Sequence, residues 1–172
     1  MSGIRNEYYE YTDEEQGMND VIKEIMESSG DKISIFRLLD SQEMKKIGEY
    51  FDLVKYPAGT VCVKEKEKIN YIGIIVSGRM KFERHNRITD KPTLLAVLEK
   101  GSHVGDFSML QERESLGQVR TVEDTELLVI SHDKLDTFMH ENPHTGIKIL
   151  KGISSVLSIR LKSAIDKVMV LS

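Results

Sequence analysis

After Phe51 the chain changes period, and that change sets its fold class. Upstream, apolar residues recur at steps of three and four. Downstream, short runs rich in Val, Ile and Tyr alternate with turn residues at close intervals. An antiparallel sandwich or barrel needs runs of this kind, and a helix is not built from them. They predict strands at residues 52–56, 60–65, 71–77, 79–84, 93–98, 103–104, 117–121 and 125–131. Pro57-Ala58-Gly59 and Ser77-Gly78 supply tight turns. The alternating Lys/Glu run from Lys64 to Lys68 reads as a solvated hairpin tip, and His85 to Pro92 reads as a polar hairpin loop. Eight short strands predict a jelly-roll-like β-roll (a double-stranded β-helix), mainly β with flanking helices.

The flanks divide the chain further. Residues 1–17 are an acidic tail in which Tyr8, Tyr9 and Tyr11 lie among Glu7, Glu10, Asp13, Glu14 and Glu15. Two readings stand: a solvated arm too polar to bury itself, or a docking peptide for a basic or apolar groove on a partner. Residues 18–50 carry N-terminal helices. Met18, Val21, Ile22, Ile25 and Met26 share one face ahead of Gly30, and Ile33, Ile35, Phe36, Leu38 and Leu39 form an apolar knot expected beneath the sheet. Asp40-Ser41-Gln42-Glu43 is a capping box opening a helix through Tyr50, with Met44, Ile47 and Phe51 inward. Residues 51–131 are the β-roll.

Residues 132–172 return to helical spacing. A helix from Asp133 to His140 turns Leu135, Phe138 and Met139 inward and is broken at Asn142-Pro143. A long helix then runs to about Val170. Along it Ile147, Leu150, Ser154, Leu157, Leu161, Ala164 and Val168 follow alternating steps of three and four, the seam of a coiled coil. Ile149, Ile153 and Val156 form a second stripe. Either the second stripe faces the β-roll and the seam a partner helix in a homodimer, or both belong to one broad face on the same domain.

Composition excludes several function classes. A net charge of -4 argues against a nucleic-acid surface, which needs clustered basic residues. One cysteine, Cys62, allows neither an internal disulfide nor a cysteine metal cluster, and its place in Val61-Cys62-Val63 suits a small buried side chain. No apolar run is long enough to span a membrane and no signal peptide precedes the acidic start, so the expected compartment is the cytoplasm. His103 and Asp106 stand at H-x-x-D spacing, but His85, His132, His140 and His144 do not complete a cupin-type metal set. Ser108 lacks the Gly-x-Ser-x-Gly elbow of a nucleophile, and no Walker-type loop or paired catalytic carboxylates occur. No enzyme, metal or cofactor is expected.

The most informative stretch is GSHVGDFSMLQERESLGQVRTVEDTELLVIS, from Gly101 to Ser131. Gly105 permits close backbone approach or a positive φ. A helical turn after it would present free N–H groups to an anion. Tyr71-Ile72-Gly73-Ile74-Ile75-Val76-Ser77-Gly78 is an apolar strand running into a Ser-Gly turn, Gly105-Asp106 stands inside the stretch, and Asn142-Pro143 precedes the long helix. In this order and spacing, residues 33–168 resemble the cyclic-nucleotide-binding domains of catabolite activators and kinase regulatory subunits.

The resemblance implies a ligand site. In that family a Gly-Glu pair opens the phosphate-binding cassette, its Glu holds the ribose hydroxyl, and an Arg about ten residues on pairs with the cyclic phosphate. Here the cassette would comprise Gly105, Asp106, Phe107 and Ser108. Asp106 is one methylene shorter than Glu. The arginine position falls on Ser115 or Leu116. Losing a charge-assisted pair of about 1.5–3 kcal/mol lowers affinity by one to two orders of magnitude. Arg113 and Arg120 are the nearest alternatives, and Arg120 alternates away from Val119 and Thr121. The family's base-contacting positions fall on Arg160 and Leu161. Arg160 is either a surface residue or reaches into the cassette to pair with Asp106.

The expected function is a stand-alone regulatory module, impaired in or altered for cyclic nucleotide binding, that acts through dimerisation or a protein partner. Only four residues follow Val168, too few for the helix-turn-helix that follows this helix in the transcription factors. The alternative is the sensor domain of a Crp/Fnr-like regulator that binds cAMP or cGMP.

Overall fold

The computed structural model describes residues 35–86, 88–105 and 114–170. The order within them is α1 (Ser41–Gly48), β1 (Asp52–Tyr56), β2 (Val61–Val63), β3 (Tyr71–Ser77), β4 (Arg79–Asn86), β5 (Lys91–Glu99), β6 (His103–Val104), β7 (Gln118–Thr121), β8 (Thr125–Ser131), α2 (His132–Glu141) and α3 (Pro143–Val170). Two antiparallel four-stranded sheets, ordered β1-β8-β3-β6 and β2-β7-β4-β5, make the expected roll. The acidic tail and the expected helix at 18–28 lie outside the described residues.

Strands β3 and β8 are the common wall of two cores. Alternation sends Ile72, Ile74, Leu128 and Ile130 to a cluster shared with Ile47, Leu135, Phe138, Ile149 and Ile153. It sends Tyr71, Ile75, Leu127 and Val129 to a second cluster with Val63, Met80, Val104 and Val119 inside the roll. Burial on both faces explains why both strands read as nearly continuous apolar runs. Cys62 lies in the second cluster, and burial pushes its thiol up to about 12 against the opposing pull of Arg120.

The capping box at Asp40 forms as written. Its carboxylate accepts from the Gln42 and Glu43 amides at 2.9 Å each, and Glu43 accepts from the Asp40 N–H at 2.9 Å. Glu43 also takes Lys148 of α3 at 2.7 Å and the Thr145 hydroxyl at 3.1 Å. These donors, Lys148 first, hold its carboxyl below the usual carboxylate range. The helix ends at Gly48 rather than Tyr50, because Tyr50 and Phe51 donate to Ile47 and Gly48 in tighter i→i+3 turns.

Three strand expectations are corrected. The β2 strand covers only Val61–Val63, since Thr60 donates to Pro57 and Thr121 and the Lys64 amide turns to the Glu67 carboxylate. Residues 64–68 are not a hairpin tip, because β2 and β3 belong to different sheets and the segment crosses between them. The loop after β4 is shorter than His85 to Pro92: His85 pairs with Pro92 and Asn86 with Lys91, and the Asn86 side chain accepts from Ile88 and Thr89.

Helix α3 is two-sided along its first half. Ile149, Ile153 and Val156 are buried on the domain, and Gly152 lets the backbone of Ile35 approach so closely that a Cβ would overlap the Ile35 carbonyl. Ile147, Leu150 and Ser154 face outward, and Leu157 is partly buried against the core. Beyond it Leu161 and Val168 are 62% and 64% exposed, and Ala164 is exposed too.

Candidate functional site

The described parts of the cassette are its two ends. Gly105 follows directly on β6, with φ +86 and its α-carbon against the Tyr71 carbonyl of β3. A side chain there would be strained in conformation and would meet Ile69 Cγ2 at 3.1 Å as well. Asp106, Phe107, Ser108 and Arg113 lie outside the described residues.

The far end is held by a backbone clip. The Ser115 amide donates to the Glu67 carbonyl at 2.7 Å, the Lys66 amide donates to the Ser115 carbonyl at 2.8 Å, and Glu114 bridges to Lys68. The crossing segment therefore anchors the loop's return, with Lys66 at φ 66. The Ser115 hydroxyl donates to the Gly117 carbonyl at 2.6 Å, and Leu116 is 57% exposed. Neither side chain is a cation. Arg120 donates to the Gly59 carbonyl at 2.6 Å on the opposite side of β7 from buried Val119 and Thr121.

His103 ties three segments together at the entry. It is buried, its Nε2 accepts from the Ile35 N–H at 3.4 Å, and its carbonyl accepts from Arg160 Nη2 at 3.4 Å. Burial, aided by the Arg160 charge, lowers its pKa to about 4, so the ring is neutral with its proton on Nδ1. Arg160 is thus partly buried and reaches the backbone at His103, two residues before Gly105. Its expected partner Asp106 is outside the described residues. Of the expected site residues, Gly105 and Arg160 are brought to one end, and Ser115 and Leu116 to the other.

Sequence reasoning missed both fasteners: the clip of residues 66–68 on Ser115, and the links from His103 to Ile35 and Arg160. Partners 46 to 68 residues apart leave no local trace. Among the described residues, no group of three or more His, Cys, Asp or Glu could hold a metal, and no helix is long and apolar enough to cross a membrane.

A family model for the cyclic nucleotide-binding domain matches residues 53–142. The cyclic AMP receptor protein of Thermus thermophilus is 25% identical over 130 residues, which are 76% of this chain and 58% of that protein. The chain thus spans little more than half that relative's length. The crystal structure of a cyclic nucleotide-binding domain from Methylobacillus flagellatus superposes with TM-score 0.79 at 19% identity, covering 90% of this chain and 85% of the other. The Toxoplasma gondii PKA regulatory domain, crystallised with cAMP, superposes with TM-score 0.63 at 17% identity, covering 73% and 46%.

Proposed function

The chain belongs to the cyclic nucleotide-binding domain family, and on that premise we propose a regulatory module whose cassette takes cyclic nucleotides weakly or not at all. No catalytic step is part of this reading. The observation that carries it is the chemistry at the cassette's return. Ser115 spends its hydroxyl on the Gly117 carbonyl and Leu116 is apolar, so neither neutralises a cyclic phosphate. Arg160 adds a cation at the entry, but its guanidinium reaches the His103 carbonyl. Calorimetric titration with cAMP and cGMP tests the reading: heats at the level of dilution are expected at micromolar ligand, and saturable micromolar binding of either overturns it.

Output passes through a second copy of the chain or a protein partner. The exposed apolar residues Ile147, Leu150, Leu161 and Val168 of α3, in register with Ser154, Leu157 and Ala164, support a parallel helix seam. A concentration-dependent sedimentation shift, abolished by Leu161→Glu, is expected. A second reading, the sensor domain of a Crp/Fnr-like regulator that binds cAMP or cGMP, is favoured by the likeness to the Thermus receptor. Micromolar binding of cAMP in the same titration would select it.

A further inference from the structure

A groove of about 490 Å³ lies between the turn at residues 35–38 and the first half of α3. Leu38, Ile147 and Leu150 give it apolar surface, and Arg37 and Lys151 line it with positive charge. Arg37 reaches the Ser155 hydroxyl at 3.3 Å. Neither Arg37 nor Lys151 has a carboxylate partner among the described residues, whereas neighbouring Lys148 is held by Glu43 at 2.7 Å.

We propose that the acidic, tyrosine-bearing segment 7–15 of the same chain lies in this groove, its carboxylates on Arg37 and Lys151 and its rings on Leu38, Ile147 and Leu150. Where the tail and a second copy of α3 compete for the groove, charge favours the tail. Between Pro143 and Ile165 the helix carries Lys148, Lys151, Arg160 and Lys162 and no Asp or Glu. A second α3 would bring like charges to the groove. Segment 7–15 brings five carboxylates and three tyrosines, whose rings cover apolar surface while their hydroxyls stay in water. Tether length permits it. Roughly twenty residues join Glu15 to Arg37, and at about 3.3 Å per extended residue they leave ample slack for a return to the groove wall.

The groove shares Ile147 and Leu150 with the proposed dimer seam. A docked tail therefore masks the first turns of that seam and leaves Leu161 and Val168 uncovered. The docking itself depends on neither ligand binding nor dimerisation.

Zero-length carbodiimide cross-linking of the full chain tests the contact, because it joins only a carboxylate and an amine already touching. Mixing isotope-labelled and unlabelled chains separates links within a chain from links between chains. The Glu43–Lys148 pair serves as internal control. The expected product is a within-chain link from Lys151 to Glu7, Glu10, Asp13, Glu14 or Glu15, its yield falling about two- to fivefold in Arg37→Glu. A Glu43–Lys148 link without any tail link to Lys151 overturns the proposal. So do tail links found only between chains, which would make a second copy's tail the occupant, and a yield indifferent to Arg37→Glu.

Discussion

Replacing Gly152 by alanine sets two physical effects against each other. In an exposed helix the change stabilises by about 1 kcal/mol, because alanine loses less backbone freedom. At Gly152 the new methyl would overlap the Ile35 carbonyl oxygen and lie 2.7 Å from its carbon and 3.1 Å from its α-carbon. These are backbone atoms of a turn pinned by Ile35 and Phe36, which are 0% and 3% exposed. No rotamer change relieves such a clash, so the turn and α3 must separate. Overpacking of this kind costs about 1–3 kcal/mol, and partial loss of a buried side chain adds to it within the roughly 2–5 kcal/mol of a full truncation. The net expectation is a destabilisation of about 1–3 kcal/mol. At about 2–4 °C per kcal/mol for a chain of this length, the melting temperature falls by roughly 2–12 °C. Circular-dichroism melts measure it. Gly146→Ala is the control: its nearest contacts are Met139 Cβ at 3.1 Å, Cγ at 3.2 Å and the Met139 carbonyl oxygen at 3.3 Å, a crowding of a few tenths of an ångström instead of an overlap, and a smaller fall is expected. A Gly152→Ala protein that melts at or above the parent temperature would refute the packing argument, since helix propensity alone would then have decided the sign.

Other consequences are open to measurement. Leu116→Arg puts a cation on an exposed site at one of the two positions, Ser115 or Leu116, proposed to match the family's phosphate arginine, and cAMP affinity is expected to rise about ten- to hundredfold by calorimetry; no gain there or in Ser115→Arg would remove the charge argument. His103 is neutral in the fold with a pKa near 4, against about 6.5 when unfolded, so the unfolded chain binds the extra proton between those values. Stability should therefore be complete above pH 6.5 and decline toward pH 4, by an amount on the order of 3 kcal/mol, and denaturant titrations of His103→Gln should show a flatter slope in that window. Glu43 adds a decline in the same direction at lower pH, because its carboxyl is held below the usual range. Asp40→Ala should cost about 1 kcal/mol through loss of the cap to the Gln42 and Glu43 amides, read as a lower denaturant midpoint. Cys62 should resist thiol reagents at pH 8 in the native protein and react on unfolding; prompt reaction of the native protein would contradict its burial.

The strands were legible because each is bounded by its own punctuation. The nearly continuous apolar runs from Tyr71 to Ser77 and from Thr125 to Ser131, closed by Ser, Gly or Asp, fix both ends from within the segment. The capping box and the buried stripe Ile149, Ile153 and Val156 were legible for the same reason, since they depend on neighbours three or four positions away. Residues 64–68 misled because sheet membership is decided by β7 and β3, far along the chain, and the Lys/Glu alternation carries no record of it. At the site, Gly105 announced its need for close approach or a left-handed backbone, whereas counting along α3 singled out Arg160 only through the family resemblance, and its expected partner Asp106 lies outside the described residues. The burial of His103 and its grip on Ile35 and Arg160 arise only when three distant segments meet.

Because β3 and β8 carry side chains into both hydrophobic clusters, the roll interior and the helical layer have no independent foundations. A molecule that pressed on Tyr71 or Ile75 would strain the same peptide units that hold Ile72 and Ile74 under Phe138 and Ile149. A message crossing this domain would travel the thickness of one strand.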